Sequence, residues 1–226
     1  MLKIAVVLYG PPGSGKGTQA NLLADKLGII HFDTGRFLES ILHDPKRQKN
    51  KKIKEMRRLF DTGKLVTPSW FFKMEKEKIK KVHDAGEGII FSGSPRTIFE
   101  TERVLPLLKK FFGSKNIYVF ALRIPEAVSV RRNSARLICS SCGSPLLTEY
   151  FPAKTPKYCP RCGAKLYRRT VDNPATIKVR LKEYRERTEP VLGFMKKKGV
   201  KVYVIDGRPA PYKIFEKIYG FVKNAR

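Results

Sequence analysis

The segment GPPGSGKGT, residues 10–18, constrains the fold of this chain more than any other stretch of its sequence. It follows an apolar run at residues 2–9, which has the pattern of a strand covered on both faces, and it leads into a helical pattern at residues 18–27. A glycine-rich loop in this position turns its backbone N–H groups inward, and the helix N-terminus adds its dipole. The segment satisfies Gly-x-x-x-x-Gly-Lys, so it predicts a phosphate-binding loop whose Lys16 meets the outer phosphates. The usual Ser or Thr after the lysine is Gly17 here, and Thr18 comes one residue later.

Four further runs have the β-rich composition of strands, at residues 29–32, 88–92, 117–122 and 200–205. Helical patterns separate these runs, and the longest, at about residues 33–81, is broken at Pro45 and at Thr67-Pro68. Strands that alternate with helices are typical of a parallel sheet. The sequence therefore predicts an α/β fold with a parallel five-stranded sheet flanked by helices and carrying insertions.

All four cysteines lie between residues 137 and 169, where Pro, Cys, Gly and aromatic residues replace the helical pattern. They form two Cys-x-x-Cys pairs with sixteen residues between them, and a glycine follows each pair. Two such knuckles predict a closed, tetrahedral and therefore structural zinc site, which stabilises a segment too short to build its own core. The expected ligands are Cys139, Cys142, Cys159 and Cys162. Disulfide or redox use of the pairs is the alternative.

The charge of the chain is far from balanced, because 47 Lys+Arg stand against 20 Asp+Glu and give a formal net charge of +27. Such a charge favours polyanionic ligands, from nucleotides to RNA, and it is also typical of a basic proteome with solvated lysine faces. The 42% of hydrophobic residues suffice for a core, which excludes global disorder. No apolar run reaches the length of a membrane span or of a signal-peptide core. We therefore expect a cytoplasmic protein with no membrane partner.

Several motifs, in one order along the whole chain, resemble the adenylate kinase family of nucleoside monophosphate kinases. They are GPPGSGKGTQA, DTGRFLE, TGKLVT, GSPRT, RRNSARLICSSCG, TVDNPAT with Arg180, and IDGRP. The resemblance implies a P-loop kinase fold with its core at residues 1–32, 75–131 and 173–226. It also implies a helical NMP-binding insertion at residues 33–74, here called the arm, and a zinc-binding lid at residues 132–172. The implied activity is reversible, Mg-dependent phosphoryl transfer, ATP + AMP = 2 ADP.

The resemblance also implies functions for residues at matching motif positions. The expected catalytic residues are Lys16, Arg96, Arg132, Arg136, Arg169 and Arg180. The expected ATP-binding residues are Gly13, Ser14, Gly15, Lys16, Gly17, Thr18, Arg132 and Pro209. The expected AMP-binding residues are Thr34, Arg36, Leu65, Val66, Gly93, Arg96, Glu100, Arg169 and Arg180. A cationic cluster suits phosphoryl transfer, whose catalysis is mostly positioning and electrostatic clamping. The attacking phosphate oxygen is already ionised and needs no general base, and the three histidines of the chain form no catalytic grouping in the sequence.

The chain departs from the family pattern around the expected magnesium and acceptor sites. The family usually has an Asp, which helps to hold magnesium through water, at the position of Ser92. It usually reads Ser-Thr-Gly-Asp-x-x-Arg where this chain reads DTGRFLE, so that the signs are exchanged between Arg36 and Glu39. Our hypothesis is that Asp33 takes over the magnesium waters and that Arg36 takes the acceptor phosphate. Arg36 and Glu39 lie three apart on one helix face, so we expect them to attract each other. A loosened acceptor site with poorer activity is the alternative.

Glu100 stands where the family usually has a glutamine that reads the acceptor base. A carboxylate only accepts hydrogen bonds, which suits the N–H donors of guanine at least as well as the edge of adenine. The resemblance favours AMP, and a different acceptor such as GMP or CMP stays open.

The densest basic run, residues 46–54, indicates an alternative of another class. It would serve a nucleic-acid-binding protein on a kinase scaffold, with the cysteine knuckles as an RNA platform. Such runs are more often solvated helix faces. The arginines at the motif positions favour the enzyme, which we expect to be a monomer with ATP and AMP as its partners.

Overall fold

The computed structural model describes residues 2–146, Thr148 and residues 156–223, and it contains two sheets. The strands are β1 Ala5–Tyr9, β2 Ile30–Phe32, β3 Ile89–Phe91, β4 Ile117–Arg123, β5 Leu137–Cys139, β6 Pro145–Leu146, β7 Leu166–Tyr167 and β8 Val202–Asp206. Five of them form a parallel sheet in the order β2-β3-β1-β4-β8. The other three form a small antiparallel sheet in the lid, in the order β6-β5-β7. The predicted α/β fold with a parallel five-stranded sheet is confirmed.

Helices flank the parallel sheet and build the arm. They are α1 Lys16–Leu27, α2 Thr34–Leu42, α3 Lys51–Asp61, α4 Pro68–Asp84, α5 Ile98–Phe112, α6 Glu126–Ala135, α7 Pro174–Glu183, α8 Glu189–Lys197 and α9 Pro211–Lys223. A five-residue π-helical segment, Tyr184–Thr188, joins α7 to α8. Within the described part of the chain, no helix is both long and apolar enough to cross a membrane.

The alternation of side chains along β1 divides the core into two layers. Ala5, Val7 and Tyr9 pack on the face of the sheet that α4, α5 and α8 cover. Val6 and Leu8 pack on the opposite face, which α1 and α9 cover. All five are almost completely buried, which explains why this strand has a continuous apolar run. Burial on both faces holds the central strand, so the loop that follows it starts from a rigid position.

The carboxyl ends of three neighbouring strands bring the expected site residues to one edge of the sheet. Gly10 follows β1, Asp33 follows β2 and Ser92 follows β3. Ligands of open α/β sheets bind at this edge, outside the carboxyl ends of the strands. Asp33 is also the N-cap of α2, since its Oδ1 accepts a hydrogen bond from the Arg36 backbone N–H at 3.1 Å. The topology therefore predicts where the functional cleft lies.

Candidate active site

A cleft opens at this edge of the sheet, between the phosphate loop, the arm and the lid. The phosphate loop and α1 form its floor, the start of α2 and residues 63–65 form one wall, and the lid and α7 form the other. The residues from the sequence predictions that line it are Gly13, Gly15, Lys16, Gly17, Thr18, Asp33, Arg36, Leu65, Gly93, Arg96, Arg132, Arg136, Arg169 and Arg180. Three parts of the chain that are far apart in sequence thus meet around one space.

The phosphate loop adopts a conformation that only glycine allows at its first position. Gly10 has φ +148°, and a Cβ there would lie 2.6 Å from the carbonyl oxygen of Leu122 on β4. The loop curls around its own lysine, because Lys16 Nζ donates to the carbonyls of Gly10 at 2.7 Å and Pro11 at 2.8 Å. In this state the Lys16 ammonium occupies the interior of the loop, where a bound phosphate would offer it a stronger partner.

Positive charges converge on the cleft. All six residues expected to be catalytic, Lys16 and five arginines, line it. Burial lowers the pKa of Lys16 well below its ordinary value, and the neighbouring Arg96, Arg180 and Arg136 lower it further, while Asp33 opposes them. The three arginines therefore lie close enough to Lys16 to disfavour its charge, and the carboxylate of Asp33 acts in the opposite sense. A polyanion in the cleft would relieve their repulsion. The catalytic roles themselves stay predictions.

Asp172 links two of these arginines, although its position in the sequence had predicted no function for it. Its carboxylate accepts from Arg136 Nε at 2.9 Å and Nη2 at 2.5 Å, and from Arg180 Nη1 at 3.0 Å. Only 3% of the Asp172 side chain is exposed. A buried carboxylate between two arginines fixes the direction of both guanidinium groups. The signal was available, because Asp172 lies inside the motif TVDNPAT.

Arg132 holds the loop that carries Pro209. Its Nη1 donates to the Gly207 carbonyl at 2.6 Å and its Nη2 to the Arg208 carbonyl at 2.9 Å. Pro209, expected to meet the adenine of ATP, follows this contact directly and does not line the described cleft. The structure therefore ties Arg132 to the expected adenine loop, and its expected contact with ATP phosphate stays a prediction.

The acceptor side of the cleft is built around Arg96. The Arg96 guanidinium lines the cleft, and its Nε donates to the Gly93 carbonyl. Glu100 is 4% exposed and is the third residue of α5. Its carboxylate accepts from the backbone N–H groups of Arg96 at 2.5 Å and Thr97 at 3.2 Å, which completes a capping box. Glu100 thus supports the turn that presents Arg96, and its expected contact with the acceptor base stays a prediction. Ser14, Thr34 and Val66 are buried next to the cleft and do not line it.

The exchanged pair in the arm contacts the lid. Arg36 Nη1 donates to the Cys142 carbonyl at 3.0 Å, and a Cβ on Gly143 would overlap the Arg36 guanidinium. Gly143 therefore allows the guanidinium to lie against the first cysteine knuckle. Glu39 forms a salt bridge with Arg169 at 3.0 Å. The direct partners of Arg36 and Glu39 are thus in the lid, and an attraction between the two side chains stays a prediction.

A histidine that the sequence had not indicated as functional contacts Ser92, which stands where the family usually has an acid. His31 Nε2 is 2.6 Å from Ser92 Oγ, and His31 Nδ1 is 2.7 Å from Asn21 Oδ1. Burial lowers the pKa of His31, and the nearby Asp33 carboxylate partly opposes this effect. Ser92 lines the cleft. The only signal in the sequence was that His31 precedes Asp33 by two residues at the end of a strand.

The four cysteines gather at the base of the lid, as the spacing predicted. Their sulfur atoms all lie within 4.8 Å of one another, with Cys139 and Cys162 3.4 Å apart and Cys142 and Cys159 3.8 Å apart. A tetrahedral zinc with Zn–S bonds of about 2.3 Å requires sulfur atoms about 3.8 Å apart. The arrangement fits such an ion, with Cys139 and Cys159 buried and Cys162 exposed.

Comparison with known proteins identifies the family. The family model described as adenylate kinase matches residues 8–200 of this chain. The chain belongs to the adenylate kinase family. An adenylate kinase of Methanothrix thermoacetophila is 36% identical over 216 residues, which cover 94% of this chain and 95% of the relative. An adenylate kinase of Archaeoglobus fulgidus is 34% identical over 221 residues, which cover 98% and 99%. One of Syntrophobacter fumaroxidans is 33% identical over 213 residues, which cover 94% and 97%.

Membership of the adenylate kinase family explains why one cleft combines a phosphate loop with a second set of anion-binding groups. Adenylate kinases act on two nucleotides at once, ATP and AMP, and they use magnesium with ATP. The phosphate loop, the Asp172-linked arginines and Arg96 all line that one cleft. The predicted family is therefore confirmed by the comparisons and agrees with the geometry.

Proposed function

We propose that this chain catalyses reversible phosphoryl transfer from ATP to AMP. The observation that carries the proposal is the cluster of five cations, Lys16, Arg96, Arg136, Arg169 and Arg180, around one cleft between the phosphate loop and the arm. Neither nucleotide alone would need the whole set, whereas two nucleotides meeting end to end would bring enough negative charge to balance it.

The proposed division of labour follows the elements. The core, residues 1–32, 75–131 and 173–226, carries the ATP site. The arm, residues 33–74, carries the acceptor, and the lid, residues 132–172, closes over ATP. ATP phosphates enter the phosphate loop, where Lys16 exchanges the carbonyls of Gly10 and Pro11 for the β and γ phosphates. Arg96 holds the acceptor phosphate, which is the proposed site of attack.

In the transfer, an ionised oxygen of the acceptor phosphate attacks the γ phosphorus of ATP. A new P–O bond forms there, and the bond from the γ phosphorus to the β–γ bridging oxygen breaks. ATP thereby becomes one ADP, and AMP becomes the other. No proton moves, so no general base is required. Arg136 and Arg180, both directed by Asp172, stabilise the charge that spreads over the transferred oxygens. Arg169 joins them when it leaves Glu39 for phosphate.

Two metal ions belong to this proposal. Magnesium, when bound with ATP, neutralises charge on its phosphates, and we assign its waters to Asp33, whose carboxylate lines the cleft beside Lys16. Zinc is assigned to Cys139, Cys142, Cys159 and Cys162. A four-thiolate site is closed, so this zinc holds the lid in shape, and the lid excludes water that would otherwise hydrolyse ATP.

We further propose that the enzyme is a cytoplasmic monomer. A formal net charge of +27 opposes self-association. Light scattering coupled to gel filtration at physiological salt should give the mass of a single chain of 25.8 kDa. A mass twice as large would overturn the monomer and leave the activity untouched.

The reaction is tested by incubating the enzyme and MgATP with AMP, GMP, CMP or UMP and separating the products by ion exchange. We expect ADP from AMP, with the other acceptors much slower. The matched control is Lys16→Met, which keeps the length of the side chain and removes its charge, and which should lower transfer by two or more orders of magnitude. Preference for GMP or CMP would change the acceptor, and transfer to none would support the nucleic-acid-binding alternative.

A further inference from the structure

A chain of three polar side chains lies at the carboxyl ends of β2 and β3. Asn21 on α1 contacts His31 on β2, which contacts Ser92 after β3, with heavy-atom distances of 2.7 and 2.6 Å. Ser92 is 8% exposed and lines the cleft. Neither His31 nor Asn21 has a role in the proposed transfer.

The partners of His31 fix which of its nitrogens carries a proton. The structure places the amide oxygen of Asn21 at Nδ1; an amide oxygen only accepts, so this orientation assigns the proton to Nδ1. Burial lowers the pKa of His31, which disfavours the charged form. A neutral ring protonated at Nδ1 has a bare lone pair on Nε2. At 2.6 Å from that lone pair, the Ser92 hydroxyl must be the donor.

A hydroxyl that donates to His31 has only lone pairs left for its other neighbours. Ser92 Oγ then faces the cleft as a hydrogen-bond acceptor, as the oxygen of a carboxylate would. We propose that Asn21 and His31 are positioning residues that hold the Ser92 hydroxyl as an acceptor for water around the magnesium of MgATP. This inference rests on the proposed function. It gives the neutral serine the acceptor character of the acid that the family usually has there.

The neighbouring Asp33 complements this arrangement. It follows β2 as Ser92 follows β3, and these two strands are adjacent in the sheet. Asp33 Oδ1 already caps α2 through the Arg36 N–H. Two acceptors at neighbouring strand ends can hold two waters of one hydrated cation, with Asp33 supplying the negative charge and Ser92 a neutral oxygen.

The tautomer is tested first, on the nucleotide-free full-length protein near neutral pH. Long-range ¹⁵N–¹H correlation spectra distinguish protonated from bare imidazole nitrogens, and the chain has only three histidines to assign. The set of imidazole signals that is absent from the spectrum of the His31→Phe variant is assigned to His31. We expect Nδ1 of His31 protonated and Nε2 bare. A proton on Nε2, or on both nitrogens, would make Ser92 the acceptor from His31 and overturn the proposal.

The role is tested by binding and by rate. Mn²⁺ replaces magnesium as the probe, and its binding to the protein–ATP complex is followed by electron paramagnetic resonance. Ser92→Ala should weaken Mn²⁺ binding about fivefold, the value of one ordinary hydrogen bond. His31→Phe should weaken it by a similar factor although Ser92 is present. The double variant should be no worse than either single one, because both remove the same interaction.

A rescue experiment distinguishes a positioning role of His31 from a general effect of its loss on the structure. Ser92→Asp in the His31→Phe background should restore Mn²⁺ affinity and the magnesium dependence of the rate, since a carboxylate accepts without help. The KM for AMP should stay unchanged in every variant. His83→Phe, on α4 and stacked on Phe111, is the matched control and should change neither quantity. Unchanged Mn²⁺ affinity in Ser92→Ala, or failure of the aspartate rescue, would overturn the role. If no phosphoryl transfer occurs at all, the proposed function fails, and the spectra and the Mn²⁺ titration still decide this inference.

Discussion

Arg169 of the lid and Glu39 of the arm form a salt bridge across the cleft, with Nη2 and Oε2 3.0 Å apart. The pair is well shielded, because the side chains are 12% and 29% exposed. The second contact between arm and lid, from Arg36 to the Cys142 carbonyl, comes from the same helix one turn earlier. The exchange of signs in DTGRFLE thus gives the arm a carboxylate, Glu39, that pairs with Arg169 of the lid. It also gives the arm a guanidinium, Arg36, that donates to the backbone of the lid.

We predict that Glu39→Gln shifts the nucleotide-free enzyme towards an open lid. A partly shielded ion pair contributes about 1 kcal/mol, so the ratio of open to closed molecules should rise roughly fivefold. Fluorescence energy transfer between dyes on the arm and the lid measures this ratio. The control is Asp25→Asn, which breaks the lid contact of Arg161 with α1. That pair is 51% and 57% exposed and should contribute little. If the two variants opened the lid equally, the salt bridge between Glu39 and Arg169 would not be the contact that holds the lid closed.

We predict that the purified chain holds about one zinc and that Cys139→Ser loses it. The lid, whose described residues include few buried apolar side chains, should then become sensitive to protease, while the parallel sheet keeps its fold. Elemental analysis and limited proteolysis measure the two effects. Ser141→Ala, between the first two ligands, is the matched control and should keep the metal. Zinc-free protein with an intact lid and disulfide-bonded cysteines would favour the redox alternative.

We predict that stability falls as the pH rises, because of Glu75. Burial, and then the Glu100 carboxylate, raise the pKa of Glu75 from 4.5 to about 8, against the Ser94 hydroxyl and Arg96, which lower it. The folded state therefore binds this proton more tightly than the unfolded state, and stability is lost as the pH rises from about 4.5 to about 8. A tenfold difference in proton affinity between the two states corresponds to about 1.4 kcal/mol, so the loss should reach a few kcal/mol.

Glu75→Gln imitates the protonated acid and should remove most of this loss. Urea unfolding at about pH 5 and pH 8.5 compares the variant with the wild type. Glu77→Gln, on the exposed side of the same helix, is the control and should leave the pH dependence unchanged. A wild type and a Glu75→Gln variant with the same slope of stability against pH would show that Glu75 is ionised in the folded protein.

We predict that Glu100→Gln keeps the preference for AMP. The carboxylate of Glu100 is used by the N–H groups of Arg96 and Thr97, and an amide oxygen can accept from the same groups. Glu100→Ala loses this contact and should destabilise the chain by about 1 kcal/mol. Acceptor rates and thermal melting measure the two effects. A change of preferred acceptor in Glu100→Gln would show that this residue reads the base.

Much of the fold was predictable because its signals are local. Helix α4 begins at Pro68, where the sequence indicated a break. The strands of the parallel sheet agree within one to three residues, since fully buried strands have continuous apolar runs. The strands of the lid and the π-helical segment at Tyr184–Thr188 were not predicted. Those two- and three-residue strands depend on the cysteine cluster, and the π segment has no pattern of its own.

The sequence predicted those site residues whose type is fixed by a motif. It did not predict the residues whose role depends on contacts between distant parts of the chain. Lys16 and the cysteines were found from spacing alone. The partners of Asp172, Glu39 and His31 lie from 8 to 130 residues away in sequence, and no local pattern reports these pairings. The sequence interpretation paired Arg36 with Glu39 because they are neighbours on a helix. The lid, which approaches only in the folded chain, provides each of them with a different partner.

The central claim is that one cleft binds a donor and an acceptor nucleotide end to end. The most direct measurement is calorimetric titration with a bisubstrate ligand, two adenosines joined through five phosphates. We expect one ligand per chain, bound at least a hundredfold more tightly than ATP or AMP alone, because linking two modules makes the second contact intramolecular. Arg96→Met, at the acceptor phosphate, and Lys16→Met, at the donor phosphates, should each remove most of that gain. Binding no tighter than that of ATP, with Arg96→Met without effect, would contradict the account.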